Sequence, residues 1–329
     1  MTGGAPTDLI ASYGNFLAPS GTAAYLVARH GWWLIGCCVL IELVTLALFF
    51  VAILGGRSQA AVPAVGAATS RHASGWIGLA IAATTLILTG FVVASFLTDR
   101  ALARVESAVP YADIEIVAHQ WWWEIRYAGW PGGPGFVTAN ELHLPAGRSV
   151  SVRLSSQDVI HSFWIPEIDR KRDVIPGRDQ SIRLTAPSAG TFRGRCAEFC
   201  GYQHAHMDVL AISETPEQFD LWRARQVRDA QRPANDLQAR GARLFSQEVC
   251  ATCHVVRGSN VPGYSGTAPD LTHVGSRLTL ASGLLANEPG NLAAWVSNPQ
   301  HFKPGVKMTV NEMGAQELQA VVAYLESLQ

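Results

Sequence analysis

A stretch of twelve residues combines the side chains that soft and borderline metals prefer. The stretch, Cys196-Ala-Glu-Phe-Cys200-Gly-Tyr-Gln-His204-Ala-His-Met207, contains two thiols, imidazoles and a thioether, and His161 lies upstream of it. This set of ligands favours copper over magnesium or calcium. Two Cys, two His and one Met suit a pair of coppers bridged by both sulfurs better than one tetrahedral zinc, which would have little use for the thioether. A structural zinc site and a disulfide remain as alternatives.

A second motif with chemistry of its own lies in the last hundred residues. Cys250-Ala-Thr-Cys253-His254 has the C-x-x-C-H spacing of covalent c-type haem attachment. In such a motif both thiols form thioethers with the haem vinyl groups, and the adjacent imidazole is placed to bind the iron. A zinc site or a thioredoxin-like pair is the alternative for any C-x-x-C sequence.

The first motif resembles the binuclear copper (CuA) loop of subunit II of the haem-copper cytochrome c oxidases. In that family both cysteines bridge two coppers, each copper takes one histidine, and a methionine and a main-chain carbonyl complete the set. The resemblance implies that the ligands are His161, Cys196, Glu198, Cys200, His204 and Met207. His206 fits no ligand position, and Asp158 is either a hydrogen-bond partner of the ligands or a solvated loop carboxylate.

The resemblance also implies a second role for Glu198. In the family the side chain at this position helps to bind a magnesium ion at the boundary with the catalytic subunit, and residues 171–178 resemble the family segment that faces that subunit. We therefore expect the Glu198 carbonyl to serve copper and its carboxylate to serve Mg²⁺, with the remaining ligands from another chain.

Three consecutive tryptophans, Trp121, Trp122 and Trp123, follow His119-Gln120. One interpretation is aromatic core, because large rings bury most of their surface. The family resemblance offers another, in which the first tryptophan after His-Gln lies over the copper site and receives electrons. We expect Trp121 to have this role and Trp123 to be packing.

The region around the second motif resembles a class I cytochrome c, whose first and last helices cross at a close glycine contact. Gly241 and Phe245 precede the motif on a predicted helix. A C-terminal helix places apolar residues on one face, namely Leu318, Val321, Val322, Leu325 and Leu328. The resemblance implies that Cys250, Cys253 and His254 hold one haem c and that Met308 is the sixth iron ligand. Alternatives are Met313, His273 and His301, and a histidine would lower the potential.

Two apolar runs, residues 32–54 and 75–97, are each about long enough to cross a bilayer as a helix, so they predict a hairpin. The first contains Glu42, which is costly in lipid unless it faces protein or is protonated. A contact with a neighbouring subunit and a role in a proton path both remain open for Glu42. Residues 1–31 lack a basic region followed by a cleavage site, so no ordinary signal peptide is predicted.

Alternating apolar and polar residues predict strands at 113–119, 149–154 and 181–184. They indicate a β-sandwich or Greek-key barrel, which the resemblance specifies as a cupredoxin fold. Thr215-Pro-Glu-Gln218 is a capping box that predicts a helix to about residue 228. The expected chain is a multidomain membrane protein with an N-terminal external segment (1–31), a two-helix transmembrane hairpin (32–98), a β-sandwich cupredoxin CuA domain (105–225), a linker (226–236) and an all-α class I cytochrome c domain (237–329).

Length and charge are consistent with this organisation, because 329 residues allow roughly two or three domains. The formal net charge of -1 gives no sign of a nucleic-acid partner. Covalent haem attachment is completed on the outer side of bacterial energy-coupling membranes. We therefore expect a bacterial inner-membrane protein with the copper and haem domains and, given two spans, both termini on the periplasmic side.

The resemblance implies the electron-input subunit of a proton-translocating terminal oxidase. Electrons would pass from cytochrome c, or an upstream cytochrome complex, through haem c and Trp121 to the copper pair, and then to the O2-reducing catalytic subunit. The expected partners are subunits I and III of the oxidase and the lipid bilayer. Alternatives are the electron-input subunit of a copper-containing nitric oxide reductase and a free-standing membrane-anchored carrier. The family's glutamate near the inner start of the second span has no counterpart here, which leaves the proton-entry role open.

Overall fold

A computed structural model describes residues 14–55, 67–105, 113–129, 134–247, 249–259, 267–310 and 312–329. The first thirteen residues of the predicted external segment and residues 106–112 of the predicted copper domain lie outside the described residues. The chain divides into two compact units, one formed by Tyr25–Ser107 and the other by Met1–Ala24 with Ala108–Gln329.

Two long apolar helices, α1 (Thr22–Leu54) and α2 (Ala67–Val105), form the first unit. They contact each other where Trp33 packs edge-on against Phe91, with ring centroids 4.9 Å apart, and where His30 Nε2 lies 3.2 Å from Ser95 Oγ. The predicted pair of membrane helices is confirmed, although both begin before the apolar runs do. An apolar run marks only the part of a helix that suits lipid, and the hydrogen-bonded backbone continues past it.

A β-sandwich is the larger part of the second unit. Its strands are β1 (Ile114–His119), β2 (Trp122–Tyr127), β3 (Phe136–Ala139), β4 (Glu141–Pro145), β5 (Val150–Ser156), β6 (His161–Trp164), β7 (Arg172–Val174), β8 (Gln180–Leu184), β9 (Gly190–Cys196) and β10 (Asp208–Glu214). One sheet has the order β3-β2-β1-β5-β8 and the other β4-β10-β9-β6-β7. Side chains such as Ile116, Trp123, Leu142 and Phe163 fill the core. This confirms the predicted fold class.

The helix after the sandwich, α3 (Pro216–Gln226), begins as predicted. The hydroxyl of Thr215 accepts from the Gln218 main-chain N–H, and the Gln218 side chain accepts from the Thr215 N–H. This capping box satisfies two donors that the first turn leaves without helical partners.

The C-terminal region is helical and contains α4 (Asp236–Gln247), a hairpin of β11 (Thr279–Leu280) and β12 (Leu285–Ala286), α5 (Pro289–Ser297), α6 (Pro299–Phe302) and α7 (Ala315–Ser327). A Cβ added at Gly241 would lie 1.9 Å from the carbonyl oxygen of Ala320, so only glycine allows α4 to approach α7 this closely. The predicted apolar face of α7 is buried at Val321, Val322 and Leu325. Leu328 is also buried, although it lies just past the end of the helix.

The first half of the predicted linker is hydrogen-bonded to Arg257. The Arg257 guanidinium donates to the carbonyls of Gln226 (2.5 Å) and Val227 (3.2 Å), and the Ala230 N–H donates to the Arg257 carbonyl at 3.0 Å. The sandwich and the helical region consequently pack as one compact unit.

Candidate metal centres

The copper loop is held at both ends by neighbouring strands. It leaves β9 at Cys196 and enters β10 at Asp208, and the Cys196 N–H donates to the Met207 carbonyl at 2.9 Å. His161 opens β6, which pairs with β9 so that Phe163 lies opposite Cys196. The register of these strands therefore brings the distant His161 to the loop.

The structure places three of the other five predicted ligands around Cys196. Its Sγ lies 3.8 Å from Cys200 Sγ, 3.8 Å from His161 Nδ1 and 3.2 Å from the Glu198 carbonyl oxygen. Two ligands ~2.1 and ~2.3 Å from one tetrahedral metal lie ~3.6 Å apart. The spacing between thiols and imidazole thus suits atoms that share a metal.

The other two predicted ligands lie beside Cys200. Its Sγ is 3.7 Å from His204 Nδ1 and 3.9 Å from Met207 Sδ. His206 turns away, with Nδ1 bonded to Gln203 Oε1 at 2.7 Å. The donor set therefore contains two thiols, two imidazoles, a thioether and a carbonyl, which fits the two coppers that the sequence predicts.

Asp158 makes three hydrogen bonds at the site, which favours a hydrogen-bond partner of the ligands over a solvated loop carboxylate. Its Oδ1 lies 2.9 Å from His161 Nε2 and accepts from the Val159 N–H at 2.7 Å, while Oδ2 accepts from the Gln120 N–H at 2.7 Å. Burial raises the pKa of Asp158, but these hydrogen bonds outweigh it and hold the pKa below its usual range. An ionised Asp158 directs His161 Nδ1 toward the sulfurs.

The two thiols form a coupled pair. The hydrogen bond with the Cys200 thiol lowers the pKa of Cys196, and the same hydrogen bond, together with burial and the charge on Cys196, raises the pKa of Cys200. The pair thus gives up its first proton readily and its second with difficulty. Because thiolates are the form that binds metal, a cation is needed to hold both sulfurs as anions.

Trp121 and Trp123 have different surroundings. The Trp121 indole N–H donates to the Cys200 carbonyl at 3.0 Å, and the Gln120 side-chain amide donates to the same oxygen at 2.7 Å. Trp123 is fully buried and packs edge-on against Phe163 with ring centroids 5.3 Å apart. Trp121 is thus bonded to the main chain of a predicted copper ligand, whereas Trp123 packs in the core.

The haem-attachment motif forms a compact turn. The His254 N–H donates to the Cys250 carbonyl at 2.9 Å, and the Cys253 N–H donates to the same oxygen at 3.2 Å. His254 Nδ1 lies 2.8 Å from the Pro269 carbonyl, a position that requires Nδ1 to carry the proton and leaves Nε2 to bind a metal. Burial lowers the pKa of His254, which also favours the neutral ligand form. The motif therefore suits a haem iron.

The candidate sixth ligands lie in different surroundings. Met308 is half-buried, and its carbonyl accepts from the Gln300 side-chain amide at 2.8 Å. Met313 packs against the apolar core of the helical region. His273 is buried, with Nε2 3.0 Å from the Arg228 carbonyl, and His301 is exposed. Met308 stays a prediction.

Lys303 is a residue whose importance the sequence does not indicate. It is only 2% exposed, and its Nζ is surrounded by main-chain carbonyls. Burial lowers the pKa of Lys303 to about 7, although Asp208 and Cys200 oppose the shift. Lysines are almost never fully buried, and an irregular loop has no periodicity from which burial could be predicted.

Comparisons with known proteins agree with both motifs. A family model described as "Cytochrome C oxidase subunit II, periplasmic domain" matches residues 135–214, and a model described as "Cytochrome c" matches residues 238–329. The chain is 32% identical over 260 residues to a protein named cytochrome c oxidase subunit 2 from Bacillus sp. (strain PS3), covering 76% of this chain and 70% of the relative. It is 34% identical over 216 residues to the protein of that name from Alkalihalophilus pseudofirmus, covering 65% of this chain and 60% of the relative.

A solved structure is also similar in sequence. The periplasmic domain of subunit II of cytochrome oxidase from Bradyrhizobium japonicum is 30% identical, with a TM-score of 0.33, and the match covers 36% of this chain and 96% of that one.

Proposed function

Because the chain belongs to the cytochrome c oxidase subunit II family and carries a cytochrome c domain, we propose that it is the electron-input subunit of a terminal oxidase. The observation that carries the proposal is the convergence of two thiols, two imidazoles and a thioether with contacts of 3.7 to 3.9 Å. When bound, a copper pair and a haem c supply one-electron redox chemistry.

The residues proposed to hold the two coppers are His161, Cys196, Glu198, Cys200, His204 and Met207. Those proposed to hold haem c are Cys250, Cys253, His254 and Met308. His161, Cys196, Cys200 and Met207 are all buried, which keeps bulk water from the donor atoms. Asp158 fixes the His161 ring through its Nε2, so the imidazole is oriented before a metal arrives.

Trp121 is the residue proposed to admit electrons to the copper site. Its indole N–H bonds to the carbonyl of Cys200, which is a proposed copper ligand. A π system joined to the ligand set by one hydrogen bond supports this role.

The exposed residues beside the copper loop support the proposal that a partner subunit binds there. Phe199 is 75% exposed and Tyr202 is 92% exposed, and the side chain of Glu198 is exposed between the two cysteines. Adjacent exposed aromatic residues are typical of interaction surfaces. We propose that this face contacts subunit I, with Glu198 contributing to a shared Mg²⁺ site, and that subunit III completes the complex in the bacterial inner membrane.

We assign the reduction of O2 and proton translocation to that complex and electron input to this chain. The proposed donor is cytochrome c or an upstream cytochrome complex. The copper and haem domains are placed on the periplasmic side because of covalent haem attachment, and the N-terminus is placed there because the chain has two spans.

A visible and near-infrared spectrum of the purified complex tests this function. We expect a c-type haem band together with the near-infrared band of a mixed-valence copper pair. Cys196→Ser should abolish the near-infrared band, whereas Cys38→Ser, on an exposed hairpin position, should leave it. A haem band without any copper band in a copper-replete preparation would contradict the proposal. Consumption of nitric oxide instead of O2 would contradict the oxidase assignment.

A further inference from the structure

Trp121 is covered by the cytochrome domain. The residue is 8% exposed. The Ser282 hydroxyl donates to its carbonyl at 2.9 Å, and a Cβ added at Gly305 would lie 3.9 Å from its ring. Ser282 and Gly305 both belong to the cytochrome domain, so an external protein cannot reach Trp121 while these contacts hold.

The amine of Lys303 joins the two domains at this point. It donates to the carbonyls of Trp121 (3.0 Å) and His206 (2.8 Å) in the copper domain. It also donates to the carbonyl of Ala281 at 3.2 Å in its own domain. Loss of the amine while the domains stay together would leave these carbonyls buried without their partner, and unpaired buried polar groups are costly.

The β11–β12 hairpin of the cytochrome domain makes a second buried contact with the copper domain. Oε1 of Glu141, at the start of β4, accepts from the main-chain N–H groups of Leu278 and Thr279, both at 2.8 Å. On the Lys303 side, the Gln203 side-chain amide donates to the Pro304 carbonyl at 2.7 Å. Polar contacts therefore join the two domains in two places, at the β11–β12 hairpin and at the loop that contains Lys303 and Pro304.

The turn of the β11–β12 hairpin has an unusual backbone conformation where it contacts the copper domain. Ala281 and Ser282 have φ angles of 53° and 62°, in the left-handed region that residues other than glycine rarely adopt. Such a conformation costs free energy and persists only when its surroundings impose it. Here the Lys303 amine and the Trp121 carbonyl bind the two strained residues.

We propose that the cytochrome domain is locked onto the copper domain, with Lys303 as the positioning residue, and that Trp121 is therefore closed to external donors. An electron donor must deliver to the haem domain and not to Trp121 directly. The proposal rests on the proposed function for the role of the two centres, but the lock itself depends only on contacts within this chain. The three N–H groups of a lysine ammonium match the three carbonyl acceptors, which belong to Trp121, His206 and Ala281.

Lys303→Gln in the purified complex tests the lock, with Lys307→Gln as the matched control. Lys307 is an exposed lysine in the same loop. We expect Lys303→Gln to accelerate hydrogen exchange of the main-chain amides of residues 278–286 about tenfold, which corresponds to ~1.4 kcal/mol of lost docking free energy. Lys307→Gln should change this exchange by less than about twofold, as is usual for surface substitutions.

A kinetic measurement separates positioning from general stability. Reduction of the haem by an external cytochrome c should have the same rate in both variants. The subsequent transfer from haem to copper should slow about tenfold in Lys303→Gln alone, the loss expected when a positioned donor group is released. Both visible and near-infrared bands should be unchanged, which shows that the centres are intact.

Equal exchange and equal transfer rates in the two lysine variants, with both bands present, would overturn the lock and leave the proposed function standing. Absence of a band from the wild-type complex would instead overturn the proposed function. If Lys303→Gln does not fold, Ser282→Ala is the milder variant, because it removes one hydrogen bond to Trp121. It should accelerate the same exchange about threefold, the effect of one neutral hydrogen bond, and no acceleration would overturn the lock.

Discussion

Asp158→Asn should weaken copper binding without unfolding the sandwich. The carboxylate contacts His161 Nε2 at 2.9 Å and accepts main-chain hydrogen bonds from Val159 and Gln120, both at 2.7 Å. Asparagine has one acceptor oxygen in place of two and no charge, so it cannot keep all three contacts. A hydrogen bond to a charged group contributes ~1.5–3 kcal/mol, and loss of such an outer partner lowers metal affinity about 10- to 100-fold.

The assay is competition with a copper chelator, in which the near-infrared band reports the copper that remains bound. Asp179→Asn is the control, because that carboxylate is 58% exposed and lies 3.7 Å from Arg153. Chelator midpoints for Asp158→Asn and Asp179→Asn that agree within about twofold would refute the reasoning, since they would show that Asp158 does not orient His161.

Three further predictions concern the domains that flank this site. Gly241→Ala places a Cβ 1.9 Å from the Ala320 carbonyl, so it should lower the free energy of unfolding of the haem domain by ~1–3 kcal/mol in thermal melts. Gly290→Ala, with nothing within 4 Å, should be neutral or stabilising, and equal melting of the two variants would contradict the close contact. Burial raises the pKa of the Glu141 carboxyl group above its usual 4.5. The native state therefore keeps this group protonated to higher pH than the unfolded state does, so the contribution of Glu141 to the free energy of unfolding falls as pH rises above 4.5. Glu141→Gln keeps an acceptor for Leu278 and Thr279, so its melting temperature should lack this part of the pH dependence, and an unchanged pH profile would contradict the assignment. Met308→Leu should remove the spectroscopic signature of methionine ligation and lower the haem potential, whereas Met313→Leu should not, and the reverse result would transfer the ligand role to Met313.

The sequence predicts most of the copper site because its ligands have distinctive chemistry. Thiols, imidazoles and a thioether spaced within one loop limit the metals that fit, and the structure brings Cys196, Cys200, His204 and Met207 together. His161 lies outside the loop in sequence, and the β6–β9 pairing explains how it reaches the loop.

The secondary structure was predictable where apolar and polar residues recur with a regular period. Alternation marked β1, β5 and β8, and the capping box marked the start of α3. The apolar runs indicated two membrane helices but not their full length, because polar residues continue the same helices outside lipid.

The contact between the domains was not predictable. Glu141 and Lys303 have the side chains of exposed residues, yet both are buried by a partner surface more than a hundred positions away in the chain. The linker at residues 226–236 has a composition typical of a flexible segment, but Arg257 holds its start. Pairings of this kind depend on tertiary structure, which local patterns do not encode.

The burial of Lys303 has a consequence for ionic strength. Dissolved ions screen charges on a protein surface over ~8–10 Å at physiological salt, but they screen buried pairs much less. A soluble donor that finds its acceptor by diffusion should therefore slow as salt rises if charges guide it. The two domains of this chain are already in contact, and the Lys303 and Glu141 side chains that join them are buried. We expect added salt to affect only the collision with the external donor.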